Sequence, residues 1–227
     1  MDRIERENRT ENFNHLVLMI SHYFAGYITV ENAARITGYS NLGAKKALKN
    51  LAKNKYFIED KVLVKGTYYL IYRITKYGRE SIGEYSEYEN ENPFYETFIS
   101  SRFREGTFRH EMLVQRLSHQ LSKTLDTDFF KARVLGGSKN KKGQIVGGRR
   151  ADAQFFYEDR EAFLEVELTM KSRLRYSKIF QIYNHFDVTV FWAVPTKKAE
   201  TFKRIVNDLL EKNDRSKFHI IKIGDND

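Results

Sequence analysis

Cysteine is missing altogether from this 227-residue chain, which excludes disulfides and thiolate zinc sites and removes any need for an oxidising compartment. Proline occurs only twice. No apolar run approaches the roughly 20 residues that a membrane span requires, and the opening "MDRIERENRT" is too charged for a secretory signal. These absences point to a cytoplasmic protein without a membrane segment. A hydrophobic fraction of 41% is ordinary for a folded chain, and the length suits one large domain or two small ones.

The net charge of +9 is unevenly spread. Residues 1–82 carry 14 Lys/Arg against 8 Asp/Glu, 83–100 carry 0 against 5, and 101–227 carry 25 against 17. Two basic blocks around an acidic stretch suggest two modules that each face a polyanion, because phosphate contacts dominate sequence-independent nucleic-acid affinity. A basic surface that serves only solubility is the plainer alternative. The stretch "GEYSEYENENPFYETF" holds one of the two prolines and no periodic apolar pattern, and reads as a linker at 83–100 between domains at 1–82 and 101–227.

In the first domain, Phe13, Leu16, Met19, Ile20 and Phe24 recur at helical spacing. "TVENAARITGYS" reads as a short helix capped by Thr29 and closed by Gly38, with Val30, Ala33, Ala34 and Ile36 inward. "SNLGAKKALKNLAKNKYF" starts at a Ser40 cap, turns Leu42, Ala44, Ala47, Leu48 and Leu51 inward and leaves Lys45, Lys46, Lys49 and Lys53 outside. "FIEDKVLVK" and "TYYLIYRIT" alternate as a hairpin around Gly66. That order is the winged helix-turn-helix, whose third helix enters the major groove. Asn41, Lys45, Lys46 and Lys49 are the expected DNA contacts; for any single lysine, a solvated helix face is the commoner explanation.

In the second domain, "FRHEMLVQRLSHQLSKTL" predicts a helix with Glu111 in its first turn, and "DFFKARVL" a short strand. "GGSKNKKGQIVGGRR" is glycine-rich and basic, and predicts a mobile loop offering Lys139, Lys141, Lys142, Arg149 and Arg150 to a phosphate backbone. "ADAQFFY" and "AFLEVEL" flank the polar turn "EDRE" and read as a hairpin. Alternation puts Phe163, Glu165 and Glu167 on one face and Ala162, Leu164, Val166 and Leu168 on the other. Two carboxylates on one face repel unless something positive lies between them, and a hard divalent cation is one remedy, with Asp152 able to complete the cage. "TMKSRLRYSKIFQIYNHF" predicts a helix with Lys171, Arg175, Lys178 and Gln181 near one face, followed by strand, helix and strand. The fold class is therefore α+β, a winged helix ahead of an α/β domain.

With "RRADAQFF", "FLEVEL" and "KIFQIY" in that order, the second domain resembles the PD-(D/E)xK nuclease superfamily. The resemblance implies an αβββαβ core in which Asp152 and Glu165 hold Mg²⁺ or Mn²⁺. The motif's lysine is replaced here by Glu167, a third metal ligand on this reading, and Lys178 or Lys171 is the relocated lysine. "RHEMLVQRL" and "KIFQIYNHF" resemble the replication-relaxation family and MobC/TraX-like relaxases, which implies nicking of plasmid DNA at a transfer origin. Double-stranded and nicked or single-stranded DNA, and accessory mobilisation proteins, are the partners that follow. Asp152, Glu165, Glu167, Lys178 and Glu111 are then the catalytic set, with Lys171, Arg175 and Arg150 beside the phosphates. Covalent attack by Tyr176 or Tyr183 is a second chemistry. A non-catalytic replication or transfer regulator and a restriction or transposition endonuclease are the rival readings.

Overall fold

The computed structural model describes residues 3–82, 103–132, 134–136, 138–139, 145–146 and 148–224. The chain is mixed α+β and divides into two compact units, Met1–His119 and Gln120–Asp227. The expected linker at 83–100 lies outside the described residues. The division falls at 119/120, within a long helix, and not in the acidic stretch.

The first unit opens with α1 (Arg3–Tyr23), then β1 (Tyr27–Thr29), α2 (Val30–Thr37), α3 (Asn41–Lys53), β2 (Phe57–Val64), β3 (Thr67–Ile74) and α4 (Lys76–Glu80). The caps are those the sequence announces. The Thr29 hydroxyl accepts from the Asn32 amide, Ser40 accepts from Gly43, and Gly38 ends α2 at φ 72°, a left-handed conformation that a side chain resists. Strand order is β1-β3-β2, all antiparallel, with the β2–β3 turn made by Lys65 and Gly66 at φ 48° and 80°. A two-residue turn with both φ positive matches the twist of the strands it joins. Leu42, expected inside, is 79% exposed, because it stands in the first turn of α3 on the side away from buried Ala44, Leu48 and Leu51.

Helix α5 (Phe108–Leu125) follows a short 3-10 turn at Glu105–Thr107. Its N-terminal half is bound into the first unit, which is why residues 103–119 leave the second domain to which their sequence position assigned them. Phe108 and Met112 pack with Tyr27, Val62 and Ile71. Buried Asn32 donates to the Met112 carbonyl and the Gln115 Oε1, each at 2.9 Å, and Gln115 donates to the Tyr27 carbonyl at 2.6 Å. Leaving any of these groups unpaired would cost about 1–3 kcal/mol.

The second unit adds β4 (Phe129–Phe130), β5 (Val134–Leu135), β6 (Ser138–Lys139), β7 (Ile145–Val146), β8 (Arg149–Arg150), β9 (Ala153–Tyr157), β10 (Arg160–Val166), α6 (Arg173–His185), β11 (Thr189–Pro195), α7 (Thr196–Leu209), α8 (Lys212–Arg215) and β12 (Phe218–Ile223). The main sheet runs β12-β11-β10-β9-β4. β10 pairs antiparallel with β9 and parallel with β11, which itself pairs parallel with β12. Parallel neighbours need long crossovers, and α6 and α7 supply them. Both helices contribute to one cluster, in which Phe163, Tyr176, Phe180, Tyr183, Trp192 and Phe202 are buried together. Trp192 meets Tyr176, Phe180 and Tyr183 edge-on at 6.2, 5.7 and 6.4 Å, contacts each contributing about 0.5–1.5 kcal/mol beyond area burial. The glycine-rich segment is not one uninterrupted loop: β5 pairs with β8, and β6 with β7.

Candidate nucleic-acid interface and acid cluster

The basic face of α3 follows from its cap and its period. Ser40 fixes the helix start; Ala44, Leu48 and Leu51 take the core; Asn41, Lys45, Lys46 and Lys49 are left exposed together. Asn41 and Lys45 also line an open groove of about 650 Å³ with Val30, Ala34, Tyr39 and Leu70. All four expected contacts of the first domain therefore share one surface.

In the second unit, β9 and β10 carry the acids. Asp152 stands just before β9, where its amide donates to the Leu164 carbonyl at 2.9 Å and its Oδ2 accepts from the Val166 amide at 2.7 Å. Glu165 and Glu167 emerge on the face that α6 covers, and each is only 3% exposed. The Glu167 amide extends the β10–β11 ladder by donating to the Ala193 carbonyl at 2.9 Å. Asp152, Glu165 and Glu167 are thus brought to one end of one hairpin, as their alternation requires.

The two glutamate charges are answered by protein cations. Arg149 forks onto Glu165, its Nε donating to Oε1 at 2.8 Å and its Nη2 to Oε2. Tyr183 donates its hydroxyl to the same Oε1. Lys171 donates to Glu167. Burial pushes the Glu165 carboxyl up and the Asp152 charge adds to this, while Arg149 opposes both. Burial likewise draws the Lys171 ammonium below its ordinary value. For Arg149, burial works to lower the guanidinium, but neighbouring Glu165 outweighs it and raises the group above its usual range.

The other expected residues fall as follows. Lys171 precedes α6 and does not ride on it, so the one-face grouping of 171, 175, 178 and 181 fails; Ser172 caps the helix instead. Lys178 is exposed, Arg175 is exposed beside the cluster, and Arg150 is half-buried. Lys141 and Lys142, and the Lys139 side chain, lie outside the described residues. Glu111 stays in the first unit, its carboxylate taken by the Tyr27 hydroxyl and by Thr107 at 2.8 Å, because the first turn of α5 packs there. Tyr176 and Tyr183 are fully buried and burial raises both phenols, so neither is a ready nucleophile. Tyr183 instead holds Glu165 in place, and the Tyr176 hydroxyl accepts from the Lys171 amide at 3.1 Å. Sequence reasoning missed the Arg149–Glu165 pair; the one signal was an arginine pair next to a strand with acids on one face.

Three carboxylates are the right donors for a hard cation. In this structure both Glu165 oxygens are engaged by Arg149, and among the described residues no group of three His, Cys, Asp or Glu side chains is gathered closely enough to hold a metal ion. Among the same residues no helix is long and apolar enough to cross a membrane. No protein-family model matches the chain, and neither a curated protein nor a solved structure matches it.

Proposed function

We propose that this is a DNA-processing protein with a winged-helix unit that grips duplex DNA and a PD-(D/E)xK nuclease-like unit that nicks it, as a relaxase of the replication-relaxation type does at a transfer origin. The single observation that carries the DNA half is the outer face of α3, where Asn41, Lys45, Lys46 and Lys49 are exposed side by side on a capped helix. The nicking half is supported by Asp152, Glu165 and Glu167 converging on one hairpin with Arg149, Lys171 and Arg175 around them, a set able to hold a phosphate and balance developing charge. On this reading Lys171, four positions beyond Glu167, is the positive group that the motif's lysine would otherwise supply, and Lys178 is not. Nicking requires Glu165 to be released from Arg149, and the requirement for Mg²⁺ or Mn²⁺ is decided by assay.

A second reading is favoured by the same pairings. Glu165 and Glu167, paired with Arg149 and Lys171, stabilise a fold without cutting, and the protein is then a non-catalytic DNA-binding regulator of replication or transfer.

Supercoiled plasmid carrying the cognate transfer origin separates the two. Open circles formed with Mg²⁺ or Mn²⁺, lost in Glu165→Gln and Asp152→Asn proteins that still bind the plasmid, support the nickase. A gel shift without cleavage in either metal supports the regulator, and linear product points to a double-strand endonuclease.

A further inference from the structure

The β2–β3 hairpin ends in apolar surface that the described residues leave exposed. Leu63 and Tyr68 face each other across the ladder and are 49% and 73% exposed. The next pair on the same face is Lys61 with Leu70, since side chains alternate along a strand. Leu70 in turn lines the groove that holds Asn41 and Lys45 at the start of α3. The apolar pair at the hairpin tip thus lies one cross-strand pair along the same face from Leu70 in the groove beside α3.

The hairpin is held rigidly enough to present them. Its turn is the two-residue form at Lys65 and Gly66, the Lys65 amide donates to Glu105 at 2.6 Å, and Tyr72 donates to Glu59 at 2.9 Å. Of the neighbouring acids, Glu31 is ion-paired with Arg35 at 2.8 Å and Asp60 with Arg73, while Glu59 and Glu105 accept from neutral donors and keep their charge. Lys45, Lys61 and Lys65 are exposed cations along this face. An exposed aromatic and leucine with Lys61 and Lys65 close along the hairpin, next to the basic face of α3, fit a ligand that is both polyanionic and flat-faced. In an intact duplex the base faces are covered by their neighbours, so the matching partner is a base taken out of its stack.

Building on the DNA-binding reading above, we propose that Tyr68, backed by Leu63, is a stacking platform for an unpaired base at the edge of the duplex gripped by α3. The hairpin is thus a detector of opened or distorted DNA.

The test uses the full chain, a short fluorescent duplex, and the same duplex with a mismatch bubble carrying 2-aminopurine. The wild type binds the bubble about tenfold more tightly than the duplex, the range expected for stacking one base on an aromatic side chain, and quenches the 2-aminopurine. Tyr68→Ala loses that preference and the quench while keeping the affinity for intact duplex, and Tyr68→Trp restores both. Circular dichroism melts confirm that each variant is folded. Equal wild-type affinities for the two DNAs, or a preference that survives Tyr68→Ala with Leu63→Ala, overturn the platform but leave the DNA-binding reading standing. A wild type that binds neither DNA overturns both.

Discussion

Replacing Arg149 by methionine keeps most of the side chain's bulk and removes the fork that holds Glu165. Glu165 is 3% exposed and its carboxyl is already pushed up by burial and by Asp152, so without the guanidinium its folded-state value rises further. Stripping one partner from a buried ion pair costs about 3–5 kcal/mol. A carboxyl whose folded-state value is raised contributes its full stability below the unfolded value and loses it as pH climbs toward the folded one, at about 1.4 kcal/mol per unit. The loss in Arg149→Met is therefore small at pH 4, where Glu165 takes a proton, and grows toward neutrality to roughly 4 kcal/mol. Urea melts followed by Trp192, the single tryptophan and a core residue of the second unit, report this directly. Arg149→Met combined with Glu165→Gln recovers most of the deficit at pH 7, because position 165 then no longer buries a charge stripped of its partner. A deficit equal at pH 4 and pH 7, or undiminished in the double variant, would show that the pair does not carry the stability assigned to it.

Three further outcomes are expected. Lys45→Ala with Lys49→Ala weakens binding to any duplex and flattens the plot of log affinity against log salt by about 0.9 for each phosphate left unneutralised; an unchanged slope removes α3 from the interface. The β9–β10 turn holds Glu158 and Asp159 at φ 50° and 58°, so Glu158→Asn with Asp159→Gly raises the stability of the second unit by about 1 kcal/mol in urea melts, and no gain counts against that backbone. Burial raises the Tyr27 and Tyr183 phenols well above 10, so their stability is whole below pH 10 and drains above it, by about 1.4 kcal/mol per unit each. Absorbance at 295 nm should show a late tyrosine step coinciding with loss of the far-ultraviolet helix signal; full titration in a still-folded chain refutes it.

Local signals were legible wherever a few neighbouring residues decide the outcome. Thr29, Gly38 and Ser40 mark helix ends through bonds that span three residues or a single backbone angle, and the alternation of 162–168 assigns Glu165 and Glu167 to one face by strand geometry alone. Long-range choices were not. Phe108, Met112 and Gln115 read as the opening of a second domain, yet they meet Tyr27 and Asn32 about 80 positions away, because a helix period names a buried face without naming what buries it.

The same limit governed the acid cluster. By itself the sequence determined that Glu165 and Glu167 share one face of a hairpin with Asp152 on its other strand, through period-two alternation; the two-residue turn at Glu158 and Asp159 that fixes their register is tighter than the four-residue turn expected. Only the tertiary structure decided what answers their charge: β8 brings Arg149 to Glu165, and the crossover into α6 sets Lys171 on Glu167 and Tyr183 over Glu165. Burying a carboxylate demands a partner, but which cation reaches it depends on how distant segments pack, and spacing along the chain does not encode that.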